Sequence, residues 1–276
     1  MTLRKTNNIL TTTYKELSIQ VSLSGLSFCI LDTLHKTIES LAHKSFEQIS
    51  SPEELIDQLD PFIQEHKLSE TAYDKITLIH NNELSSFVPK DLFNENHLAN
   101  YLKYNVKILA TDFIAYDELK TASMVNVYVP FTNVNNFIFD SIGEFEFKHT
   151  ASILVENLLH KAPKTLDSVM FVNVHNGHFE IVISKNSKLI LYNRYTYQTK
   201  EDFIYYILFT AEQLQLNPAH FTLYLLGDIQ KDSELFDITY KYIKYVEFGN
   251  SYIDYTINDS LAPIANHRHF ILLNSF

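Results

Sequence analysis

The sequence holds one cysteine, no tryptophan and only five glycines among its 276 residues. The single thiol, Cys29, excludes an intrachain disulfide and a cysteine-rich metal cage. Its place in the apolar run Phe28-Cys29-Ile30-Leu31 reads as a buried, unreactive side chain in a reducing compartment. So few glycines leave little room for a phosphate-cradling loop, and neither the Walker-type glycine loop nor a dinucleotide-type glycine fingerprint occurs. Ser24-Gly25 does not form the nucleophile elbow of a hydrolase, and Cys29 has no identifiable His/Asn partner. No apolar run reaches the length of a membrane span, and Met1 to Leu10 lacks the apolar centre of a signal peptide, so a cytoplasmic location is expected. Basic clusters are also missing. With 22 Lys and Arg against 33 Asp and Glu, a net charge of -11 disfavours a nucleic-acid partner.

What is present is 46% hydrophobic residues, enough to build a core for one large domain or two lobes. Residues 1–15 read as a polar, mobile arm. Leu17, Ile19, Val21 and Leu23 then alternate with polar residues up to Ser24-Gly25, as in a half-buried strand entering a hairpin. Phe28 to Asp32 is the return strand, and Lys36 to Phe46 a third, of which Leu41 to Lys44 also fits a helix. Ser51-Pro52-Glu53-Glu54 opens a helix through an N-cap, a proline in the first turn and acids that complement the dipole. It runs to about Glu65 with Leu55, Ile56, Leu59 and Ile63 inward, and Pro61 either kinks it or starts a second turn. Further on, the pattern predicts strands over Asp74–His80, Ser85–Pro89, Val106–Tyr116, Met124–Pro130 and Glu144–His149, and helices over Asp91–Tyr104, Phe131–Asp140 and Thr150–His160. Val169 to Tyr197 predicts three antiparallel strands joined by tight turns at His175-Asn176-Gly177-His178 and Lys185-Asn186-Ser187-Lys188. A helix from Thr199 to Leu216, a strand from Phe221 to Leu226, a helix over Asp232–Tyr242 and a strand over Lys244–Phe248 complete the order, with the tail from Ile253 helical only in part.

Strand, strand, strand, helix, strand, helix therefore occurs twice, and the inward positions repeat with it. Leu17, Ile19 and Val21 fall on Met170, Val172 and Val174, while Phe28 and Ile30 fall on Phe179 and Ile181. On this alignment the second hairpin is two residues tighter, an even change that keeps every side chain on its face. Downstream, the helix after Ser51 corresponds to the helix after Lys200, and Ile76 to His80 corresponds to Leu223 to Gly227.

Two halves of this order resemble the actin-like ATPase superfamily, over about residues 15–250. The run from Phe171 through Asn173, His175 and Gly177 to Arg194, followed by a helix from Thr199, is most similar to its pilus-assembly and type II secretion branch. The chain also looks like a bacterial domain of unknown function placed in that superfamily. The resemblance implies a duplicated α/β, ribonuclease H-like fold. Each lobe is a mixed sheet with a three-stranded antiparallel meander and flanking helices, one lobe over residues 16–149 and the other over 150–276.

The resemblance also implies an Asp-x-Gly in each hairpin, the carboxylate for Mg²⁺ and the glycine for backbone approach to phosphate. This chain has Gln20-Val21-Ser22 and Asn173-Val174-His175 instead, and a single glycine, Gly227, before Asp228 where the adenosine segment is expected. Gln20, Ser22, Asn173, His175 and Gly227 are thus degenerate phosphate-site positions. The expectation is no enzymatic activity and no cofactor, with Mg-ATP bound weakly or not at all; the alternative is ATP binding at a divergent site. His175 with His178, and His267-Arg268-His269, lack a linked third ligand and are expected to hold no metal. Tyr192, Arg194 and Tyr197 form the candidate surface for an unidentified protein partner, a second copy of the chain being one candidate.

Overall fold

The computed structural model describes residues 13–46, 51–162, 164–261 and 263–276. Strands β1 (Lys15–Ser22), β2 (Gly25–Asp32) and β3 (Thr37–Ser45) form the first meander, followed by helix α1 (Pro52–Glu65) and strand β4 (Lys75–Asn81). An insertion then contributes β5 (Ser85–Pro89), the short α2 (Leu98–Leu102), β6 (Ala115–Leu119) and β7 (Met124–Tyr128). Helix α3 (Thr132–Ser141) and strand β8 (Glu146–His149) close the first half, and helix α4 (Thr150–Lys161) leads into the second. The second half runs β9 (Ser168–His175), β10 (His178–Lys185), β11 (Lys188–Thr196), α5 (Lys200–Gln213), β12 (Thr222–Gly227), α6 (Glu234–Tyr242) and β13 (Tyr245–Phe248). A two-residue strand, β14 (Thr256–Ile257), and a final turn of helix, α7 (Phe270–Leu273), end the chain.

One sheet has the order β14-β3-β2-β1-β4-β8, the other β11-β10-β9-β12-β13. Apart from β14 they are the same five strands in the same order. In both, the meander is antiparallel and the fourth and fifth strands join parallel. The duplication extends to an irregularity, because the register between second and third strands slips at Ile30/Leu31 in one sheet and at Ile183/Ser184 in the other. Bulges are positional features of a fold. Their coincidence is harder to attribute to chance than alternating hydrophobicity.

The pairing corrects the hairpin alignment. Val21 pairs with Leu26 and Val174 with Phe179, so Leu26, not Phe28, is the counterpart of Phe179. A constant offset of 153 residues carries Ser22 and Gly25 onto His175 and His178, and the two hairpins are equally tight. The two-residue difference lies in the next turn, where Thr33–Lys36 connects β2 to β3 and only Asn186-Ser187 connects β10 to β11.

Each outer face is covered by a helix capped as the sequence indicates. Ser51 accepts from the Glu54 N–H at the start of α1, and Thr199 and Asp202 form a reciprocal capping box at the start of α5. Pro61 lies inside α1 without ending it, and Leu55, Leu59, Phe62 and Ile63 are buried, with Ile56 only half-buried. The Leu41–Lys44 stretch is strand, not helix.

The insertion departs most from expectation. Asp91–Tyr104 is two 3₁₀ turns and the five residues of α2, because the Asn94 side chain caps a fresh turn at Asn96 instead of continuing a helix. Val106–Tyr116 is mostly irregular, turned where Asp112 accepts from the Leu109 N–H, and the strand there is Ala115–Leu119. The insertion's three strands form a separate sheet in the order β5-β7-β6.

Thr13 and Tyr14 donate to Asp74 and β1 begins at Lys15, so this end of the expected mobile arm is tied down; residues 1–12 lie outside the described residues. The tail returns to the first sheet. Thr256 and Ile257 pair with Thr37 and Ile38, α7 packs on β1 and β2, and the Ser275 hydroxyl donates to Ser18 at 2.7 Å. Thr256, Ile257, α7 and Ser275 therefore touch the first sheet, while His267 and Arg268 of the same tail contact the end of β12.

Candidate functional site

Alternation puts Gln20, Ser22 and Ser27 on the inner face of the first meander, and Asn173, His175 and Glu180 at the same offset on the second. The expected phosphate-site residues Gln20, Ser22, Asn173, His175 and Gly227 line one cleft, together with Asn81, Asp228 and His269.

Beneath the cleft lies a residue that sequence reading missed. Glu180 is fully buried on the middle strand, its Oε2 accepting from Asn173 Nδ2 at 2.8 Å and its Oε1 from the Tyr192 hydroxyl at 3.1 Å. Asn173 Nδ2 also approaches His175 Nε2 at 2.9 Å, closer than the 3.4 Å between His175 and Glu180. Its amide donates to Glu180 and sits beside the His175 ring, fixing all three groups in one cluster. Burial pushes the Glu180 carboxyl up, but the His175 contact and the charge of Arg194 outweigh it and hold the group below the usual carboxylate range. His178 stacks on His175 at 4.7 Å, and burial, aided by the charges of His175 and Arg194, lowers its pKa to about 2.

Arg194 bridges the halves. Its Nη1 donates to Asn81 Oδ1 at 3.0 Å and to the Asn82 carbonyl at 2.9 Å, both just beyond β4 or at its tip. Tyr192 is held edge-on to Phe87 and bonded to Glu180, while the Tyr197 hydroxyl donates to the His175 carbonyl and its ring packs on Phe179 and Phe203. The three residues expected as one partner surface thus share internal contacts, and Tyr197 faces the second core, not the side on which Tyr192 and Arg194 lie. Arg194→Ala is expected to cost about 2 kcal/mol, since it removes charged hydrogen bonds and leaves Glu180 without its nearby cation. Urea unfolding of that variant, of Asn81→Ala and of the pair checks this; purely additive losses would show that the bridge carries no coupling.

On the opposite wall the chain's tail closes over the tip of β12. Gly227 N–H donates to the His267 carbonyl at 2.8 Å, Asp228 N–H to the Val174 carbonyl at 2.7 Å, and Arg268 pairs with Asp228 at 2.9 Å. A magnesium nucleotide needs anionic oxygens for its metal and free amides for its phosphates. Of the described side chains lining the cleft, Asp228 is the one carboxylate, already paired, and the amides of Gly227 and Asp228 are engaged within the chain. The cavity measures about 80 Å³, against roughly 300–1,000 Å³ for small-molecule sites. These residues do not fit magnesium ATP. Among the described residues no group of three His, Cys, Asp or Glu side chains is placed to hold a metal ion.

The signal for Glu180 was present in the sequence as a lone acid between Phe179 and Ile181, in a strand whose outer-face residues are apolar. Asn81 had a signal in its alignment, since the offset that carries Ile76 to Leu223 carries Asn81 to Asp228. Each of these two accepts from an arginine, Arg194 or Arg268.

With this geometry in hand, the chain is found to match, over residues 4–246, the family described as Protein of unknown function (DUF3822), and it belongs to that family. No curated protein matches it. Among solved structures it is similar to a Bacteroides thetaiotaomicron protein with actin-like ATPase fold and unknown function. There the TM-score is 0.77 at 22% identity, with 86% of this chain and 91% of that one covered. It is also similar to the PilM–PilN type IV pilus biogenesis complex, with a TM-score of 0.60 at 10% identity over 94% of this chain and 97% of that one. The fold is therefore the two-lobed actin-like ATPase fold, as the repeated order implied.

Proposed function

We propose that this chain is a non-catalytic member of the actin-like fold, a cytoplasmic protein that works by engaging another protein and not by hydrolysing ATP. The observation that carries this reading is the state of the cleft. Amides replace both hairpin carboxylates at Gln20 and Asn173, and the chain's own tail takes the Gly227 amide. A triphosphate in such a place would meet no free carboxylate to organise its metal and no open turn of amides. The buried thiol of Cys29, raised well above its ordinary range by burial, and the net charge of -11 agree with a reducing compartment and with a partner other than nucleic acid. No described helix is long and apolar enough to cross a membrane. The PilM structure is named as a complex with PilN, a precedent for partner engagement on this fold.

Calorimetry with Mg-ATP and a phosphate-release assay test the reading. The expected outcome is no binding tighter than millimolar and phosphate release at the rate of buffer. Micromolar affinity without turnover would favour ATP binding at a divergent site. Micromolar affinity with turnover that Asn173→Ala abolishes would overturn the proposal.

A further inference from the structure

The second sheet ends on β11, the inserted sheet ends on β5, and among the described residues each has a strand neighbour on one side only. Between them runs an open groove of about 820 Å³. Its lining takes residues 83–87 from one side and 192–196 from the other, consecutive in both cases. A strand that offers a face contributes alternate residues, so consecutive ones mean that the backbone edge borders the groove. The Arg194 N–H agrees, because it donates to the neighbouring Asn193 side chain and not to β10. Along an antiparallel edge every second residue turns its amide outward, which places the Thr196 N–H on the same side.

Unpaired edges are templates for an added strand. This one has aromatic walls, with Phe87 against Tyr192 at 4.9 Å and Tyr195 stacked on Tyr206 at 4.7 Å. It also concentrates cations in an acidic protein. Lys107 and Arg194 line the groove against Glu83; Lys107 is in no ion pair among the described residues, and Arg194, though its charge also acts on buried Glu180, is in no salt bridge there. A second copy of the chain, itself at -11, would be repelled as a whole, whereas a short acidic segment meets positive charge locally.

We infer that this groove takes an extended acidic segment of a partner protein, added as a strand along β11 with a carboxylate facing Lys107 and Arg194. The inference rests on the partner-engaging reading above but not on the loss of ATP hydrolysis.

Random-peptide display against the full chain, followed by fluorescence polarisation with the enriched peptides, tests it. Enriched sequences are expected to carry Asp or Glu within a β-branched or aromatic run. Lys107→Glu should weaken them at least tenfold, as should raising salt from low to high. Thr196→Pro, which removes an outward amide while sparing the ladder to β10, should weaken them to a similar degree with the fold intact by circular dichroism. No enrichment, enrichment of peptides without acids, binding indifferent to both variants, or a doubling of mass in solution that Lys107→Glu abolishes would each overturn it. ATP turnover with peptide binding intact would sink the non-catalytic reading alone.

Discussion

Replacing Gly227 by alanine is expected to remove at least about 3 kcal/mol of stability and to lower the melting temperature by roughly 6–12 °C. Gly227 has φ +82°, a region that side chains enter at a cost of about 1–2 kcal/mol. An added Cβ would also stand 2.2 Å from the Val174 carbonyl oxygen and 3.0 Å from the Val174 nitrogen. Both are backbone atoms of the partner strand, so relief requires opening the pairing of β12 with β9, and with it the Gly227 bond to His267. Gly177 supplies the control. Its φ is +78° but nothing lies within 4 Å of its missing Cβ, so Gly177→Ala should cost only the conformational part, about 1 kcal/mol. Equal losses by urea denaturation would show that the contact at Val174 is relieved cheaply. The glycine that the family resemblance assigned to nucleotide approach is thereby explained by strand packing alone.

The two meanders were legible because a sheet buried on its outer face writes its register as alternation, and Leu17, Ile19, Val21 and their counterparts show it plainly. The same property hid the hairpin error. Moving two residues from one turn to the next keeps every side chain on its face, so hydrophobic pattern alone could not separate Phe28 from Leu26 as the partner of Phe179. The insertion was opaque for another reason. Its strands β5, β6 and β7 bury their residues in a small satellite core around Val88, Val125 and Val127, and nothing in a strand's own period says which sheet it joins. Val106, Ile108 and Ile114 pack against that core from irregular backbone, and their apolar run reads as a strand. At the site, positions were legible and partners were not. Alternation placed Gln20, Asn173 and His175 in the cleft, but the bonds from Arg194 to Asn81 and Asn82 join residues more than a hundred apart. The tail's return to Ser18 spans 257 residues, beyond the reach of any local rule.

Lowering the pH from 7 to 5 is expected to remove about 5 kcal/mol, enough to bring a fold of ordinary stability close to its midpoint. Three buried histidines carry most of it, and the half-buried His269, whose pKa burial and the charge of Arg268 lower to about 4, adds to it. His80 accepts from the Phe131 N–H at Nδ1 and faces Asn135 Oδ1 at Nε2, and His149 accepts from the Ala151 N–H at Nδ1 and faces the Asn82 carbonyl at Nε2. In both rings the neutral form with its proton on Nε2 satisfies every partner, and a second proton would point at an amide hydrogen. Burial, with mutual repulsion of His80 by His149 and of His149 by Arg194, lowers these pKa values to about 3 and about 4, while that of His178 falls to about 2. Unfolded histidine titrates near 6.5, so below that value the unfolded chain takes up protons that the fold refuses. Each such group costs about 1.4 kcal/mol per pH unit until its folded pKa is reached. Asp117, raised by burial, and the exposed His35, raised by its bond to Asp32, act in the opposite sense against four lowered histidines. Glu180, held low, loses its contribution only as pH falls below the unfolded carboxylate value, outside this window. Urea midpoints at pH 7, 6 and 5 measure the slope, and His80→Gln should flatten it by about a quarter whatever it does to stability at pH 7. Midpoints that stay level from pH 7 to 5 would show that these rings accept protons in the folded state, and that the fold opens to solvent around β4 and β10 without unfolding.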